Sequence, residues 1–319
     1  MTPSPLALAL PASLLAAAAP VLAAAVPASP VAAAAATAAA APPTRFLDID
    51  GGRIAYDVAG ERGPLVLCLP SMGDLRAEYR FLVPQLVAAG FRVATVDVRG
   101  MGESSTGFAD VSAAAVGGDI VALLRRAGLL APGESAFVVG TSMAAAAAVW
   151  AAAEAPDLVA GIVLVGPIIR DVPVSVFARA MFHVLLTPPW GKAAWGSYYP
   201  SLYPGHKPAD FAAYRKALAA NLAEKGRFAS FRRMAFASKA ACDARVPEVR
   251  AKVLVVMGSR DPDFSDAAAE ARLVAERLHG ELVLVEGAGH YPHAEVPDEV
   301  GPRIAAFLRA AAGLGAVGQ

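Results

Sequence analysis

The predicted fold is decided by one stretch, Val138-Val139-Gly140-Thr141-Ser142-Met143-Ala144, in which an apolar, β-rich run leads directly into an alanine-rich, helix-like run. Ser142 stands at the turn, with a small residue two positions away on each side. A serine held in a strained backbone conformation above a sheet needs small neighbours, because a larger side chain would collide with the adjoining strand or helix. The stretch therefore predicts a nucleophile elbow.

On both sides of this stretch, short β-rich runs alternate with helix-like runs, which predicts an α/β fold with a mostly parallel, eight-stranded sheet flanked by helices. The first two strands are predicted to form a hairpin around Asp50-Gly51-Gly52. The predicted strands are residues 45–49, 53–58, 65–69, 93–96, 136–139, 159–165, 253–257 and 282–285. The predicted helices are residues 76–89, 111–127, 143–154, 266–278 and 300–312.

One interval breaks this rhythm: residues 171–248 contain no convincing strand and hold 12 of the 23 aromatic side chains. We interpret the interval as a helical cap insertion that lies over the sheet, between core segments at residues 45–170 and 249–319. It carries 11 basic and five acidic residues. This excess predicts either an ordinary solvated face or an electropositive mouth that attracts anionic substrates.

Residues 1–44 form a separate Ala/Pro-rich leader, with 20 alanines, eight prolines and no charged side chain. Its apolar stretch and the small-residue sites Ala23-Ala24-Ala25 and Ala39-Ala40-Ala41 favour a signal peptide and export to the cell envelope or medium. The absence of Lys or Arg near its start favours the alternative, an unstructured leader on a cytoplasmic protein. Its prolines interrupt any run long enough to span a membrane, which argues against a stable transmembrane helix.

Composition excludes several classes of function. The 28 basic and 28 acidic residues balance, so the chain lacks the basic excess of a nucleic-acid-binding protein. Five histidines without an H-E-x-x-H pattern and two cysteines without C-x-x-C argue against a zinc site. Gly100-Met101-Gly102 is followed by no third glycine at dinucleotide-binding spacing. Nothing calls for a metal or organic cofactor, and the expected partner is a small-molecule substrate.

A serine hydroxyl is a poor nucleophile at neutral pH, so Ser142 needs a base, and the base needs a carboxylate to orient it. Asp261 follows the predicted strand at residues 253–257, and His290 follows the one at residues 282–285. Both stand just past the carboxyl end of a strand, where open α/β sheets place their sites. Asp171, Asp263 and Asp266 are alternatives for the acid.

Four motifs together resemble the α/β-hydrolase fold of serine hydrolases, in its capped, esterase-like branch, over almost all of residues 45–312. Leu69-Pro70-Ser71-Met72-Gly73-Asp74 stands where that family has a His-Gly turn after its third strand. Asp97-Val98-Arg99-Gly100-Met101-Gly102-Glu103-Ser104 is similar to its D-x-R-G-x-G-x-S turn. The elbow and the Asp261 and His290 loops complete the set, in the family's chain order.

The resemblance implies a triad of Ser142, Asp261 and His290, with the backbone N–H groups of Met72 and Met143 as an oxyanion hole. Pro70 and Ser71 replace the usual His-Gly pair. This departure puts the shape of the first oxyanion loop in question. Each hydrogen-bond donor of an oxyanion hole contributes a factor of roughly 10² to 10³ to the rate.

The resemblance favours a carboxylesterase that works through an acyl-enzyme. Because the nucleophile is a serine and not an aspartate, dehalogenation or epoxide opening through an aspartyl ester is disfavoured. Hydrolysis of an amide, lactone, thioester or carbon–carbon bond, and perhydrolysis, remain open with the same triad. A small-molecule receptor with slow or vestigial turnover is an alternative of another class.

Other residues complete the prediction. Pro70, Ser71, Trp190 and Trp195 are candidate substrate contacts, and the aromatic insertion predicts an apolar or aromatic acyl or alcohol group. His293 is interpreted as a surface or loop-packing residue. Cys68, in an apolar strand, is interpreted as a small buried hydrophobe. The pocket size, the natural substrate and the oligomeric state are left open by the sequence.

Overall fold

The computed structural model describes residues 42–171 and 175–315. The predicted leader lies outside these ranges except for its last three residues, so its role as a signal peptide or unstructured segment stays a prediction. Within the described ranges, no helix is both long enough and apolar enough to span a bilayer.

The core is one eight-stranded sheet, in the order β1-β2-β4-β3-β5-β6-β7-β8. The strands are β1 (Arg45–Ile49), β2 (Gly52–Ala59), β3 (Leu65–Leu69), β4 (Arg92–Val96), β5 (Ala136–Thr141), β6 (Val159–Val165), β7 (Lys252–Gly258) and β8 (Glu281–Val285). The β1/β2 and β2/β4 pairs are antiparallel, and all other pairs are parallel. The predicted α/β class, the hairpin and all eight strands are confirmed.

The α-helices of the core flank this sheet. They are α1 (Leu82–Ala88), α2 (Ala113–Arg126), α3 (Met143–Glu154), α9 (Ala267–Arg277), α10 (Pro292–Glu295) and α11 (Pro297–Ala311). The predicted helix at residues 76–89 is instead split into a 3-10 turn, Arg76–Tyr79, and α1. Pro84 explains the split, because proline has no N–H to donate to the carbonyl of residue 80 in a continuous helix. Helix α11 starts three residues earlier than predicted, with Pro297 in its first turn, where proline is favoured.

Between β6 and β7, the described elements are all helical: α4 (Val176–Leu185), α5 (Gly191–Tyr198), α6 (Phe211–Ala223), α7 (Arg227–Phe236), α8 (Ala240–Asp243) and two 3-10 turns, Tyr199–Leu202 and Val246–Glu248. This helical insertion packs on loops that follow the carboxyl ends of the strands. Arg227 donates to the carbonyl of Ser104, and Arg233 donates to the carbonyl of Phe108 at 2.9 Å. The insertion therefore lies over the edge of the sheet where the predicted site residues stand.

A buried ion pair joins the turn after β4 to helix α2. Arg99 Nε and Nη2 donate to the two carboxylate oxygens of Asp119, at 2.7 and 2.5 Å. The Asp119 side chain is 4% exposed and the Arg99 side chain 13%. Burial raises the pKa of Asp119, whereas the Arg99 guanidinium opposes that rise. The pair therefore fixes the turn after β4 against helix α2.

We expect Asp119→Ala to lower the free energy of unfolding by about 3 to 5 kcal/mol, because it leaves a buried guanidinium without its counter-charge. Urea unfolding followed by circular dichroism measures this loss. The double variant Arg99→Met/Asp119→Leu is the control and should lose less, since it leaves no buried charge. A loss below about 1 kcal/mol for Asp119→Ala would contradict the role given to the pair.

Candidate active site

Ser142 occupies the sharp turn between β5 and α3. Its backbone has φ 58° and ψ −118°, in the left-handed region that side chains rarely adopt. Its N–H donates to the carbonyl of Val165 at 2.8 Å, which ties the turn to the end of β6. A Cβ atom on Gly140 would lie 2.3 Å from the carbonyl oxygen of Ala144, so only glycine fits there. The geometry is that of the predicted elbow, with Ser142 2% exposed.

His290 and Asp261 meet at this edge of the sheet. His290 Nδ1 lies 2.7 Å from Asp261 Oδ2, and the two residues are 1% and 2% exposed. With Nδ1–H donated to the carboxylate, Nε2 keeps the lone pair that a general base needs. The structure thus pairs the histidine and the carboxylate that the sequence singles out.

Gly166 sets the position of the imidazole. It follows Val165, the acceptor for the Ser142 N–H, and has φ 48°. A Cβ atom on Gly166 would lie 2.9 Å from the His290 carbonyl oxygen and 3.1 Å from His290 Nδ1. The imidazole therefore packs directly on the backbone that follows β6, next to the strand end that carries Ser142.

A second carboxylate, Asp263, also faces His290. Its Oδ2 lies 3.5 Å from His290 Nδ1, and its N–H donates to Asp261 Oδ1 at 3.0 Å. Burial disfavours the imidazolium, but the negative charges of Asp261 and Asp263 outweigh that effect and raise the pKa of His290 to about 9. The sequence treats Asp263 only as an alternative to Asp261, whereas the structure places both carboxylates beside the imidazole.

The loop after β3 is held by a buried glutamate that the sequence analysis missed. Glu78 Oε2 accepts the N–H of Ser71 at 2.8 Å. Met72 follows, and its N–H has no hydrogen-bond acceptor within the described chain. The N–H of Met143 is at the first position of α3, where no intrahelical acceptor exists. Within the described residues, neither N–H group that the resemblance assigns to the oxyanion hole has a hydrogen-bond acceptor.

Tyr79 ties this loop to the elbow. Its hydroxyl donates to the carbonyl of Leu69 at 2.7 Å and lies 2.8 Å from the hydroxyl of Thr141. Leu69 and Gly140 are also paired in the β3/β5 register. The replacement of His-Gly by Pro70-Ser71 therefore leaves the loop anchored, through Glu78 below it and Tyr79 at its base.

Of the two predicted positions for His293, surface or loop-packing, the surface position is wrong and the loop-packing one is confirmed. His293 is 1% exposed, its ring stacks on Tyr79 with centroids 5.2 Å apart, and its Nε2 lies 3.2 Å from Glu78 Oε1. It packs under the loop after β3, beside the glutamate that holds Ser71. One feature of the sequence could have indicated that His293 points inward: it stands three residues after His290, in the short helix α10.

The helical insertion covers the loop after β3. A Cβ atom on Gly73 would lie 2.7 Å from the ring of Phe231 and 3.6 Å from Trp195. Asp74 Oδ2 accepts the hydroxyl of Tyr199 at 2.8 Å, and Asp74 Oδ1 accepts that of Tyr214. Burial raises the pKa of Asp74 to about 7. These two hydrogen bonds were not predicted, because Asp74 and its tyrosine partners are at least 125 positions apart in the sequence.

Several other predicted candidates lie elsewhere. Trp190 is 51% exposed and its indole N–H donates to the carbonyl of Val184 at 2.8 Å, so the structure does not place it at this site. Asp171 accepts the N–H of Lys239 at 2.9 Å. Asp266 caps helix α9 by accepting the N–H of Ala269 at 2.8 Å. Neither is the acid partner of His290.

Trp195 is placed at the site and also lines a cavity of about 350 Å³ inside the insertion, with Tyr199, Leu218 and Leu222. A wider cleft of about 560 Å³ lies between residues 110–112 and the insertion, lined in part by His183, Arg232 and Arg233. The lining of each space lacks Ser142 and His290. Trp195 therefore contacts both the loop after β3 and the smaller cavity, whose lining also includes Lys192, Arg215 and Lys216.

The side chains of Asp261, Asp263 and His290 bring ligand atoms within 4.8 Å of one another, as a metal site would. A cation there would compete with His290 for Asp261. The imidazolium itself supplies the positive charge that the two carboxylates attract, so the arrangement is complete as an ion pair.

Residues 66–302 match the sequence model of the alpha/beta hydrolase family, and this range runs from β3 to α11 and includes the elbow, the insertion and the Asp261 and His290 loops. The chain belongs to the alpha/beta hydrolase family. Membership supports a hydrolase and agrees with the fold and the elbow described above.

Solved structures of alpha/beta hydrolase architecture are similar to this chain. A thermophilic esterase from Thermogutta terrifontis has 22% identity and a TM-score of 0.67 over 84% of this chain and 99% of that one. The enol-lactonase from Burkholderia xenovorans has 20% identity and a TM-score of 0.69 over 83% of this chain and 99% of that one. A bromoperoxidase from Bacillus anthracis has 19% identity and a TM-score of 0.72 over 84% of this chain and 100% of that one. At these identities the likeness shows the fold.

One curated relative matches over a shorter range. The dihydrolipoyllysine-residue acetyltransferase component of the acetoin cleaving system from Cupriavidus necator is 31% identical over 124 residues, which are 39% of this alpha/beta hydrolase. The match spans 32% of that relative. This partial match therefore does not assign the activity of the whole relative to this chain.

We expect Gly166→Ala to slow the reaction of Ser142 with a fluorophosphonate by about a hundredfold, because the added Cβ displaces the imidazole by a fraction of an ångström or more. Stopped-flow or gel-based labelling rates measure the effect. Gly118→Ala in helix α2 is the matched control, since nothing lies within 4 Å of its Cβ. The control should keep the labelling rate and stabilise the chain by about 0.5 to 1 kcal/mol. Equal rates for both variants would contradict the packing role of Gly166.

Proposed function

We propose that this alpha/beta hydrolase cleaves the carboxylic ester of a small, apolar or aromatic molecule through an acyl-enzyme on Ser142. The observation that carries the proposal is the buried 2.7 Å contact between His290 and Asp261. Ser142, with its strained, positive-φ backbone, donates its N–H to Val165, the residue before the Gly166 on which the imidazole packs. A strained nucleophile, a base and an orienting carboxylate are the three parts that serine acyl transfer needs.

In the proposed mechanism, Ser142 Oγ attacks the ester carbonyl carbon while His290 Nε2 takes the hydroxyl proton. The tetrahedral intermediate collapses, the alkoxide leaves with the proton from His290, and the acyl group stays on Ser142. His290 then takes a proton from water, the resulting hydroxide attacks the acyl carbon, and the carboxylic acid leaves as Ser142 regains its proton. Asp261 stabilises the imidazolium in both steps.

The N–H groups of Met72 and Met143 are proposed to bind the oxyanion. Their support is that neither is used elsewhere: the Met72 N–H has no acceptor within the described residues, and the Met143 N–H begins a helix. The positive end of the α3 dipole adds to the stabilisation of negative charge at this point. Glu78 holds the neighbouring Ser71 N–H and so orients the peptide that precedes Met72.

The insertion supports an apolar substrate group. Trp195 and Phe231 pack on Gly73 of the loop after β3, next to Met72. Aromatic rings at this place favour an apolar acyl or alcohol group on the substrate. In the closed arrangement Ser142 is 2% exposed, so substrate entry requires the insertion, acting as a cap, to move.

We expect wild-type protein to hydrolyse p-nitrophenyl esters and to react with a fluorophosphonate, and we expect Ser142→Ala to lose both, with turnover falling by roughly six decades. A chain-length series of p-nitrophenyl esters gives the preferred acyl size. Ser197→Ala, an exposed serine on α5, is the control and should keep both properties. Labelling without hydrolysis of any ester would contradict ester cleavage and favour another acyl substrate or a receptor.

The pH dependence of kcat/KM should follow the neutral form of His290. Because the pKa of His290 is raised to about 9, the base is mostly protonated at neutral pH, and kcat/KM should rise with pH until about pH 9. A p-nitrophenyl ester assay between pH 5 and 10 checks this, with Ser142→Ala as the correction for spontaneous hydrolysis. A plateau that begins near pH 6 would contradict the raised pKa.

A further inference from the structure

Asp263 does not fit the roles of a three-residue catalytic set. It stands two residues after Asp261 on the same loop, and its backbone N–H donates to Asp261 Oδ1 at 3.0 Å. Its Oδ2 lies 3.5 Å from the same imidazole nitrogen that Asp261 contacts at 2.7 Å. A quarter of the Asp263 side chain is exposed, so water alone could solvate this carboxylate if nothing held it.

Tyr198, the last residue of α5 in the helical insertion, holds the other oxygen. Its hydroxyl donates a hydrogen bond to Asp263 Oδ1. Burial, and after it the negative charge of Asp263, raises the pKa of Tyr198, which keeps the phenol protonated as the donor. One carboxylate thus has one oxygen bound by the insertion and one facing His290.

We propose that Asp263 is a positioning residue for His290, a second carboxylate that the Tyr198 hydroxyl of the helical insertion holds against the imidazole. The proposal deepens the proposed function, since it rests on His290 as the base of that reaction. It also links the insertion to the base, because the donor to Asp263 belongs to the insertion and the imidazole belongs to the core.

The charges around His290 decide the direction of the effect. Asp261 and Asp263 face Nδ1, Glu78 adds a more distant negative charge from the 3-10 turn, and the ring of Tyr291 meets the imidazole edge to face at 5.0 Å. Asp263 itself faces His290, Asp261 and Tyr198. A second anion near the imidazole stabilises the imidazolium, which forms at each proton transfer.

The test measures the proton affinity of His290 directly, by NMR titration of the ¹⁵N-labelled full chain, with the His290 signals assigned by their loss in His290→Gln. We expect Asp263→Asn to lower the midpoint by about one pH unit or more. Tyr198→Phe should lower it less, because the partly exposed carboxylate then turns toward water. Asp263→Glu, which restores the charge, should recover most of the shift.

Asp266→Asn is the matched control. It removes the same charge from the same loop, and asparagine still caps helix α9. The control should leave the His290 midpoint within a few tenths of a unit. A shift in Asp263→Asn no larger than in the control would overturn the proposal, and a full shift in Asp263→Asn with none in Tyr198→Phe would overturn the part given to the insertion.

Kinetics separate a positioning role from a merely structural one. The rising limb of the pH profile of kcat/KM should move to lower pH in Asp263→Asn. The limiting kcat at high pH should fall by about tenfold for each pH unit by which the His290 midpoint falls, and KM should change little. The titration needs no substrate. A wild type that cleaves no ester but shows the Asp263→Asn shift would therefore overturn ester hydrolysis and support Asp263 as a positioning carboxylate.

Discussion

The backbone of Ser142 is the constraint on which the rest of the site depends. A non-glycine residue at φ 58° costs of the order of 1 to 3 kcal/mol and persists only where the surroundings over-determine it. Here the N–H bond to Val165 fixes one side of the turn, and the absence of a Cβ on Gly140 lets α3 start directly against β5. Residues 144–148, all alanine, are fully buried, so α3 packs close enough to keep the turn in place.

This constraint explains why so much of the fold could be predicted. A strand buried on both faces reads as a continuous apolar run, and a tight strand-to-helix turn demands small residues at fixed positions, so both leave a local pattern in the sequence. Strands β3 to β7 and the turn into helix α3 are of this kind, whereas β1 and β2 were indicated by their hairpin turn. Helix starts were less accurate where a proline decides them, as at Pro84 and Pro297.

The contacts that the sequence did not reveal are made between distant segments. Asp74 meets two tyrosines of the insertion at least 125 positions away, and Tyr198 meets Asp263 across 65 positions. No local periodicity encodes such pairs, because each residue alone resembles an ordinary surface carboxylate or aromatic core residue. Asp263 had a local indication, its spacing of two from Asp261, but its partner in the insertion had none.

Tyr198 and Tyr199 belong to one short segment that makes further contacts with the candidate site. Residues 191–202, which comprise α5 and the following 3-10 turn, provide Trp195 against Gly73 in the loop after β3 and Tyr199 to Asp74. The same segment provides Tyr198 to Asp263 and the carbonyl of Leu202 to the His290 N–H at 2.9 Å. A displacement of this segment would therefore remove supports from the His290 and Asp263 loops and from the loop after β3 together. The geometry of both parts of the candidate site depends on where this one segment of the insertion lies.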